Sequence, residues 1–327
     1  MTFILLFFFS FILCFVLTKL LGFFSLRYNL LNNKGVPLIG GIAVAISIIA
    51  VLAVSSPQSL MIKSRIMLGI LLSSLIMLGF GIIDDLREVS ILTKFIMQVV
   101  ACVILVIFGV KTQIIYIGNV LNFLITLLWV LGITNAFNHL DVMDGVATGP
   151  GIIISLGFFW SAFLTGNIAI MTLIASLAGS LAGFFMFNFP PAKVYLGNAG
   201  SHFLGFILAA IAITISYASC QQEVALLTPI LMLGFPILDT LFLIIARIKR
   251  GQPIFKKSND HTVLLLMHVY ASKRKSMFVI TLLSLFFVIC AITTSQATNA
   301  AGAQVVILAV LFSVYLYVRM NRIRIDG

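Results

Sequence analysis

The feature that most restricts this chain is a rhythm: about twenty apolar residues with hardly a charge, a short polar connection, then another apolar stretch, from one end to the other. Crossing a hydrocarbon layer of about 30 Å takes about 20 mainly apolar residues. Eleven stretches meet that requirement, near 2–24, 36–56, 66–83, 92–110, 119–136, 147–165, 168–188, 202–219, 224–247, 276–295 and 301–320. Backbone in hydrocarbon must satisfy its own hydrogen bonds, so such stretches are helical. The expectation is an all-α, polytopic integral membrane protein of 10 to 11 transmembrane helices, a single membrane-embedded domain over 1–327 with no internal repeat. Only 9% of the residues are charged, against about 25% in soluble domains. Residues 1–24 lack a basic leader and a small-residue cleavage site, and read as a retained first helix rather than a signal peptide. Cys14, Cys102, Cys220 and Cys290 are scattered singly through apolar runs and read as packing residues, not as a metal or redox set.

A formal charge of +11 on a soluble protein would suggest nucleic acid, but here the basic residues sit in the connections between spans, which argues against a nucleic-acid partner. If eleven spans alternate, every Lys and Arg except Lys63, Arg65 and Lys111 falls on one side. That bias makes the rich side cytoplasmic and the protein a multi-pass plasma-membrane protein. Asp84, Asp85, Glu88, Asp141, Asp144, Asp260, Asp326 and all the histidines fall on the same side, leaving Glu223 opposite and Asp239 within a span. The bias rule concerns Lys and Arg alone, so the acids and histidines point separately to a polar site on the cytoplasmic face.

Four segments on that face could carry chemistry. At the end of the third span, Asp84 and Asp85 stand side by side, followed by Arg87 and Glu88. Adjacent carboxylates repel, and a hard divalent cation relieves the repulsion by taking oxygen ligands. One of the pair could instead act as a base, or the pair could be a solvated helix end neutralised by Arg87. In the second segment, Asn135, Asn138, Asp141 and Asp144 recur every three residues. Consecutive members neighbour one another on a helix, but the stripe drifts half-way round over all four, so one straight helix cannot aim them at a single ligand. Amides and carboxylates together suit a base or sugar offering both donors and acceptors; an ordinary capped loop is the alternative. The third segment couples Pro190-Pro191 to Gly197-Asn198-Ala199-Gly200-Ser201 at the start of a helix. Glycines there would let a phosphate approach free N–H groups, or the turn could simply cap the helix. The fourth runs from Arg247 to Lys275, with Arg250, Lys256 and Lys257 ahead of Asp260-His261, and His268 seven residues on, which puts the two histidines on one helical face. Its cations suit a pyrophosphate or anionic lipid head groups. Asp239, three residues after Pro236 and inside a span, is costly there unless it meets a polar partner or cavity.

In order and spacing these pieces resemble the polyprenyl-phosphate N-acetylhexosamine-1-phosphate transferases of the glycosyltransferase family 4 type, over about Lys34 to His268. The correspondence rests on Gly35-Val36-Pro37-Leu38-Ile39-Gly40-Gly41, on Asp84-Asp85 with Lys94 and Gln98, and on Asn135-Ala136-Phe137-Asn138 with Asp141 and Asp144-Gly145. It continues through Tyr195-Leu196-Gly197-Asn198-Ala199-Gly200-Ser201, Pro236 with Asp239, and Arg250-Gly251 leading to His261. The Pro-Leu-Ile-Gly-Gly loop and the span count look more like the N-acetylglucosamine 1-phosphate branch than the phospho-muramoyl-pentapeptide branch.

The resemblance implies a Mg²⁺-dependent reaction, with Mn²⁺ as a substitute, in which a polyprenyl phosphate attacks the β-phosphorus of a UDP-sugar. The products are a lipid-linked pyrophosphoryl sugar and UMP, for cell-wall or surface-polysaccharide synthesis. By resemblance Asp84, Asp85, Asp141 and His261 are the catalytic candidates. Lys34, Lys94, Asn135, Asn138, Asp144, Gly197, Ser201 and Arg250 are candidates for substrate binding, and Asp84, Asp85 and Asn198 for the metal. The chain could work as a homodimer. It departs from the family pattern at Asn198, where a carboxylate would stand, at Val142, where a glycine would stand, and at Thr262-Val263-Leu264, where further histidines would stand. Losing a carboxylate predicts weaker metal binding. A degenerate relative that binds lipid phosphate or nucleotide without turnover is the second reading. A transporter is the third; it predicts inverted repeats and mid-membrane charges, and Asp239 alone fits that.

Overall fold

A computed structural model describes residues 2–55, 65–215, 217, 223–251 and 262–321, and in it the chain is an all-α bundle. The helices are α1 (Thr2–Arg27), α2 (Gly40–Val54), α3 (Arg65–Leu86), α4 (Ile91–Ile107), α5 (Gly118–Leu140), α6 (Thr148–Leu164), α7 (Ile168–Asn188) and α8 (Gly197–Thr214). They continue with α9 (Thr228–Met232), α10 (Gly234–Lys249), α11 (Thr262–Tyr270), α12 (Lys273–Gln296) and α13 (Asn299–Asn321). Among the described residues, seven helices are long and apolar enough to cross a membrane, and α9 with α10 makes an eighth if that pair, bent by 72°, is one span. The remaining three expected stretches form helices too short for that test, α2, α4 and α6. The bend has a cause in the sequence: Pro236, in the first turn of α10, has no N–H to give the Met232 carbonyl, so the helix restarts there.

The helices α7 and α8 form the centre, with 78% and 83% of their apolar windows buried, whereas α13 is 11% buried and presents its sides to lipid. α7 packs on α1, α2 and α6, and α8 on α2, α3 and α5. Lipid tails are as apolar as the helices, so apolar area alone does not drive this packing. Small residues and hydroxyls do: a Cβ on Gly179 or Gly183 of α7 would strike the backbone of Phe7 or Phe11 on α1. At the same seam Ser10 Oγ donates to the Ser176 carbonyl at 2.7 Å and shares a 2.6 Å hydrogen bond with Ser180 Oγ. Two further close approaches matter for the site, because a Cβ on Gly41 would strike the backbone of Gly200, and one on Gly81 that of Ala199. The N-terminus of α8 is therefore wedged between the start of α2 and the end of α3. Cys14, Cys102 and Cys290 are buried free thiols, as packing residues should be, and Cys220 lies outside the described residues.

Three boundaries differ from the sequence expectation. The stretch 36–56 enters its helix only at Gly40, because β1 (Asn32–Asn33) and β2 (Val36–Pro37) pair as a hairpin. Its two-residue turn, Lys34-Gly35, has φ of 49° and 82°, the geometry of a type I′ turn. The stretch 202–219 starts its helix earlier, at Gly197, for a reason given below. The long polar stretch contains a helix, α11, whose Thr262, Val263, Leu265 and Leu266 are buried.

Candidate functional site

A cavity of about 880 Å³ opens at one end of the bundle, lined by the hairpin residues Asn32 and Asn33, the end of α3, the start of α4, the α5–α6 and α7–α8 connections, α11 and the first residue of α12. It gathers Asp84, Asp85, Lys94, Asn138, Asp141, Asp144, Gly197 and Asn198 from the sequence candidates, together with Glu88 and Lys273. Separate loops converge there because the helices between them run alternately up and down.

The adjacent acids of α3 have different tasks. Asp84 is buried; its Oδ2 meets Lys94 Nζ at 2.6 Å, and its Oδ1 accepts the Val89 N–H at 3.1 Å. Lys94 thereby neutralises a charge that could not remain unpaired in the interior. Asp85 reaches the other way: Oδ1 accepts the Asn198 N–H at 2.9 Å and Oδ2 the Ala199 N–H at 3.0 Å. Those are among the N–H groups of α8 that have no partner within the helix. The preceding residue, Leu196, makes no side-chain cap, so a carboxylate from another helix caps α8 and meets the positive end of its dipole. This explains why α8 begins at Gly197.

The α5 stripe divides as its drift requires. Asn135 faces α4, where its amide and that of Gln98 exchange hydrogen bonds of 2.8 and 3.2 Å, and it does not line the cavity. Asn138 faces α8: its Nδ2 donates to Asn198 Oδ1 at 3.2 Å and to Ser201 Oγ at 3.0 Å. Ser201 therefore stands behind the lining and holds Asn138. Asp141 closes the helix as its C-cap residue and borders the cavity. Removal from bulk water, then the negative charges of Asp85 and Asp144, push its carboxyl well above the usual carboxylate range. Asp144 Oδ2 accepts the Ala192 N–H at 3.2 Å and faces Lys273 Nζ at 3.1 Å.

Asn188, at the end of α7, ties two of these loops together. Its Oδ1 accepts the Gly145 N–H at 3.1 Å and the Thr148 hydroxyl at 2.9 Å, and its Nδ2 donates to the Val194 carbonyl at 3.0 Å. Val142 needs no glycine geometry: it is absent from the described non-glycine residues with positive φ, and it borders the cavity. Leu264 and Met267 of α11 form an apolar wall on the segment where the family pattern has histidines. Lys34 stands at the hairpin tip and Arg250 at the C-cap of α10, both exposed and outside the lining. His261 lies outside the described residues, and His268 is exposed on α11. Inside its span, Asp239 is buried and its Oδ1 accepts the Thr262 N–H at 3.0 Å, so it too caps a helix from another element.

Asn188 opens the third candidate segment and Lys273 lies in the fourth, but sequence reading assigned neither a site role of its own. A basic start to a helix is also what membrane topology produces, and a lone Asn beside two prolines resembles a cap, so neither carried a distinctive signal.

Residues 67–216 match Glycosyl transferase family 4, and the chain belongs to that family. It is 31% identical over 289 residues, 86% of its length and 79% of the other protein's, to a Bacillus subtilis (strain 168) protein named as a probable undecaprenyl-phosphate N-acetylglucosaminyl 1-phosphate transferase. It is 30% identical over 280 residues to a decaprenyl-phosphate N-acetylglucosaminephosphotransferase of Mycobacterium leprae, covering 75% of this chain and 70% of that one. A phospho-N-acetylmuramoyl-pentapeptide-transferase of Streptococcus thermophilus is 42% identical, but over 92 residues, 28% of this chain and 27% of its own. The breadth of the first two matches agrees with the branch read from the Pro-Leu-Ile-Gly-Gly loop.

Proposed function

We propose that the chain transfers an N-acetylhexosamine 1-phosphate, N-acetylglucosamine 1-phosphate in the first instance, from its UDP-sugar to a polyprenyl phosphate. The observation that carries this reading is the convergence of Asp85, Asn138, Asp141, Asp144 and Asn198 on one cavity at the polar end of the bundle. The names of the relatives that cover most of the chain support it. An oxygen of the lipid phosphate bonds to the β-phosphorus while the bond from that phosphorus to the bridging oxygen breaks, and the electron pair leaves on UMP. The lipid and the sugar are then joined by a pyrophosphate. Phosphoryl transfer asks the protein chiefly for positioning and for neutralising charge. Asn138 and Asn198 offer amides to the nucleotide sugar, and the N–H groups at the start of α8 lie behind Asp85. The Asp84–Lys94 pair holds the end of α3 in place for Asp85.

The cavity lining carries five carboxylates and two lysines among the described residues, and both substrates are anions, so a further cation would offset the excess negative charge. Burial first, and then the charges of Asp85 and Asp144, hold the Asp141 carboxyl above the usual range. The described residues contain no cluster of three His, Cys, Asp or Glu side chains placed to share an ion. Mg²⁺ suits such a site, since it keeps several waters and takes one or two carboxylates along with substrate phosphates. Asp141 and Asp85 would hold it, with Asn198 offering a carbonyl oxygen, and Mn²⁺ would substitute. Bound there, the ion supplies positive charge to the diphosphate.

The same reading makes the chain one transferase domain of eleven crossings in the plasma membrane, with α2, α4 and α6 as short spans and the cavity facing the cytoplasm. The positive bias of that end and a continuous core running from Cys14 to Met320 support it. The test is purified protein with undecaprenyl phosphate, a panel of UDP-sugars and Mg²⁺. UMP release with one of them, abolished by EDTA, is expected; no release with any of them overturns the proposal.

A further inference from the structure

The two cavity lysines differ in what holds them. Lys94 is committed, because Asp84, whose side chain has no exposed surface, would keep a buried unpaired charge if Lys94 moved away. Lys273 is not. Its ammonium lies 3.1 Å from Asp144 Oδ2 with 49% of the Lys273 side chain exposed; Asp144 is itself buried, but it borders the cavity and its Oδ2 keeps the Ala192 N–H at 3.2 Å. The backbone beneath Lys273 is fixed, however. It is the first residue of α12, after the N-cap Ser272. Its neighbour Arg274 donates from Nε to the Pro190 carbonyl at 2.8 Å and lies over the Phe189 ring, 5.6 Å from its centroid. A long flexible stem on a fixed base lets an ammonium exchange one oxygen partner for another, since it binds as a point charge with no fixed fork. Leu264 and Met267, which share the cavity lining with it, supply no charge.

We propose that Lys273 is a substrate-contacting residue: it leaves Asp144 to bind a phosphate group of an incoming substrate, the nucleotide diphosphate or the lipid phosphate. This rests on the transferase reading above. Lys273 stands outside the motifs that carry the family resemblance, at the first residue of α12.

The test uses the purified full-length chain and its Lys273→Met and Lys273→Arg variants. Binding of UDP and of uridine is measured, together with the KM for undecaprenyl phosphate in the UMP-release assay. If the diphosphate is the partner, Lys273→Met weakens UDP binding on the order of ten- to a hundredfold and leaves uridine binding unchanged. If the lipid phosphate is the partner, its KM rises by a similar factor instead. Lys273→Arg, which keeps the charge but carries a rigid fork, recovers part of what Lys273→Met loses in either case. A misfolded variant is distinguished because it loses uridine along with UDP. Wild-type values for UDP, uridine and lipid phosphate in a folded Lys273→Met overturn this assignment and leave the transferase reading intact. Wild-type protein that neither binds UDP nor releases UMP removes both.

Discussion

Asp141 is the residue whose ionisation this site controls most directly. It stands past the end of α5, near Asp85 and Asp144, and its carboxyl is held above the ordinary value. From about pH 4, where an unfolded aspartate titrates, up to its raised value, the folded chain holds more proton there than the unfolded chain does. Stability therefore falls as pH rises through that window. Asp141→Asn removes the penalty, so thermal unfolding in detergent should find it more stable than wild type near neutrality, with the advantage closing toward pH ~4, and UMP release should be lost. An advantage that is constant with pH, or larger in acid, contradicts the assignment. Most residues of this kind were legible in the sequence. The pairs Asp84-Asp85 and Asp141 with Asp144, and Asn138 with Asn198, are too polar for positions beside hydrocarbon to have been overlooked. Lys273 was not legible, because a lysine at a helix start meets the topology rule equally well whether or not it serves a ligand.

Among the elements, α8 depends on a residue that is not its own. Asp85 accepts two N–H groups of its first turn, and Gly81 one turn earlier lets α3 come close enough for that reach. Asp85→Asn turns one acceptor into a donor facing N–H groups and removes a negative charge from a helix N-terminus. A loss of about 1–3 kcal/mol is expected, read as a lower midpoint of thermal unfolding; a variant as stable as wild type would refute the capping role. The helices themselves were readable from apolar length. Their starts were less so: α2 begins only after the hairpin just before it, and α8 and α11 begin where Asp85 and Asp239 dictate, partners 113 and 23 residues away. The fate of Asn135 was half readable. A stripe at intervals of three must turn away from its starting face, but only the structure reveals that Gln98 takes the first member and the cavity takes Asn138 and Asp141.

The whole molecule is a lipid-facing bundle whose candidate site residues gather at one end. Its core is assembled through glycine and serine contacts between α1 and α7 and around the start of α8, which fixes five connections around a single cavity. Belonging to glycosyl transferase family 4 fits that design, since the reaction joins a lipid buried in the bilayer to a water-soluble nucleotide sugar. The departures at Asn198, Val142 and Thr262-Val263-Leu264 are each accommodated: Val142 has no positive φ, Asn198 is hydrogen-bonded to Asn138, and Leu264 walls the cavity. In the proposed transfer the bond broken lies between the two phosphorus atoms of the UDP-sugar. UDP-N-acetylglucosamine labelled with ³²P at the β-phosphorus, incubated with the protein, undecaprenyl phosphate and Mg²⁺, tests it directly. The label should pass into the lipid fraction with unlabelled UMP in the aqueous phase, and Asp141→Asn should abolish the transfer. Label that remains in water as UDP, or is never transferred by the wild-type protein, contradicts it.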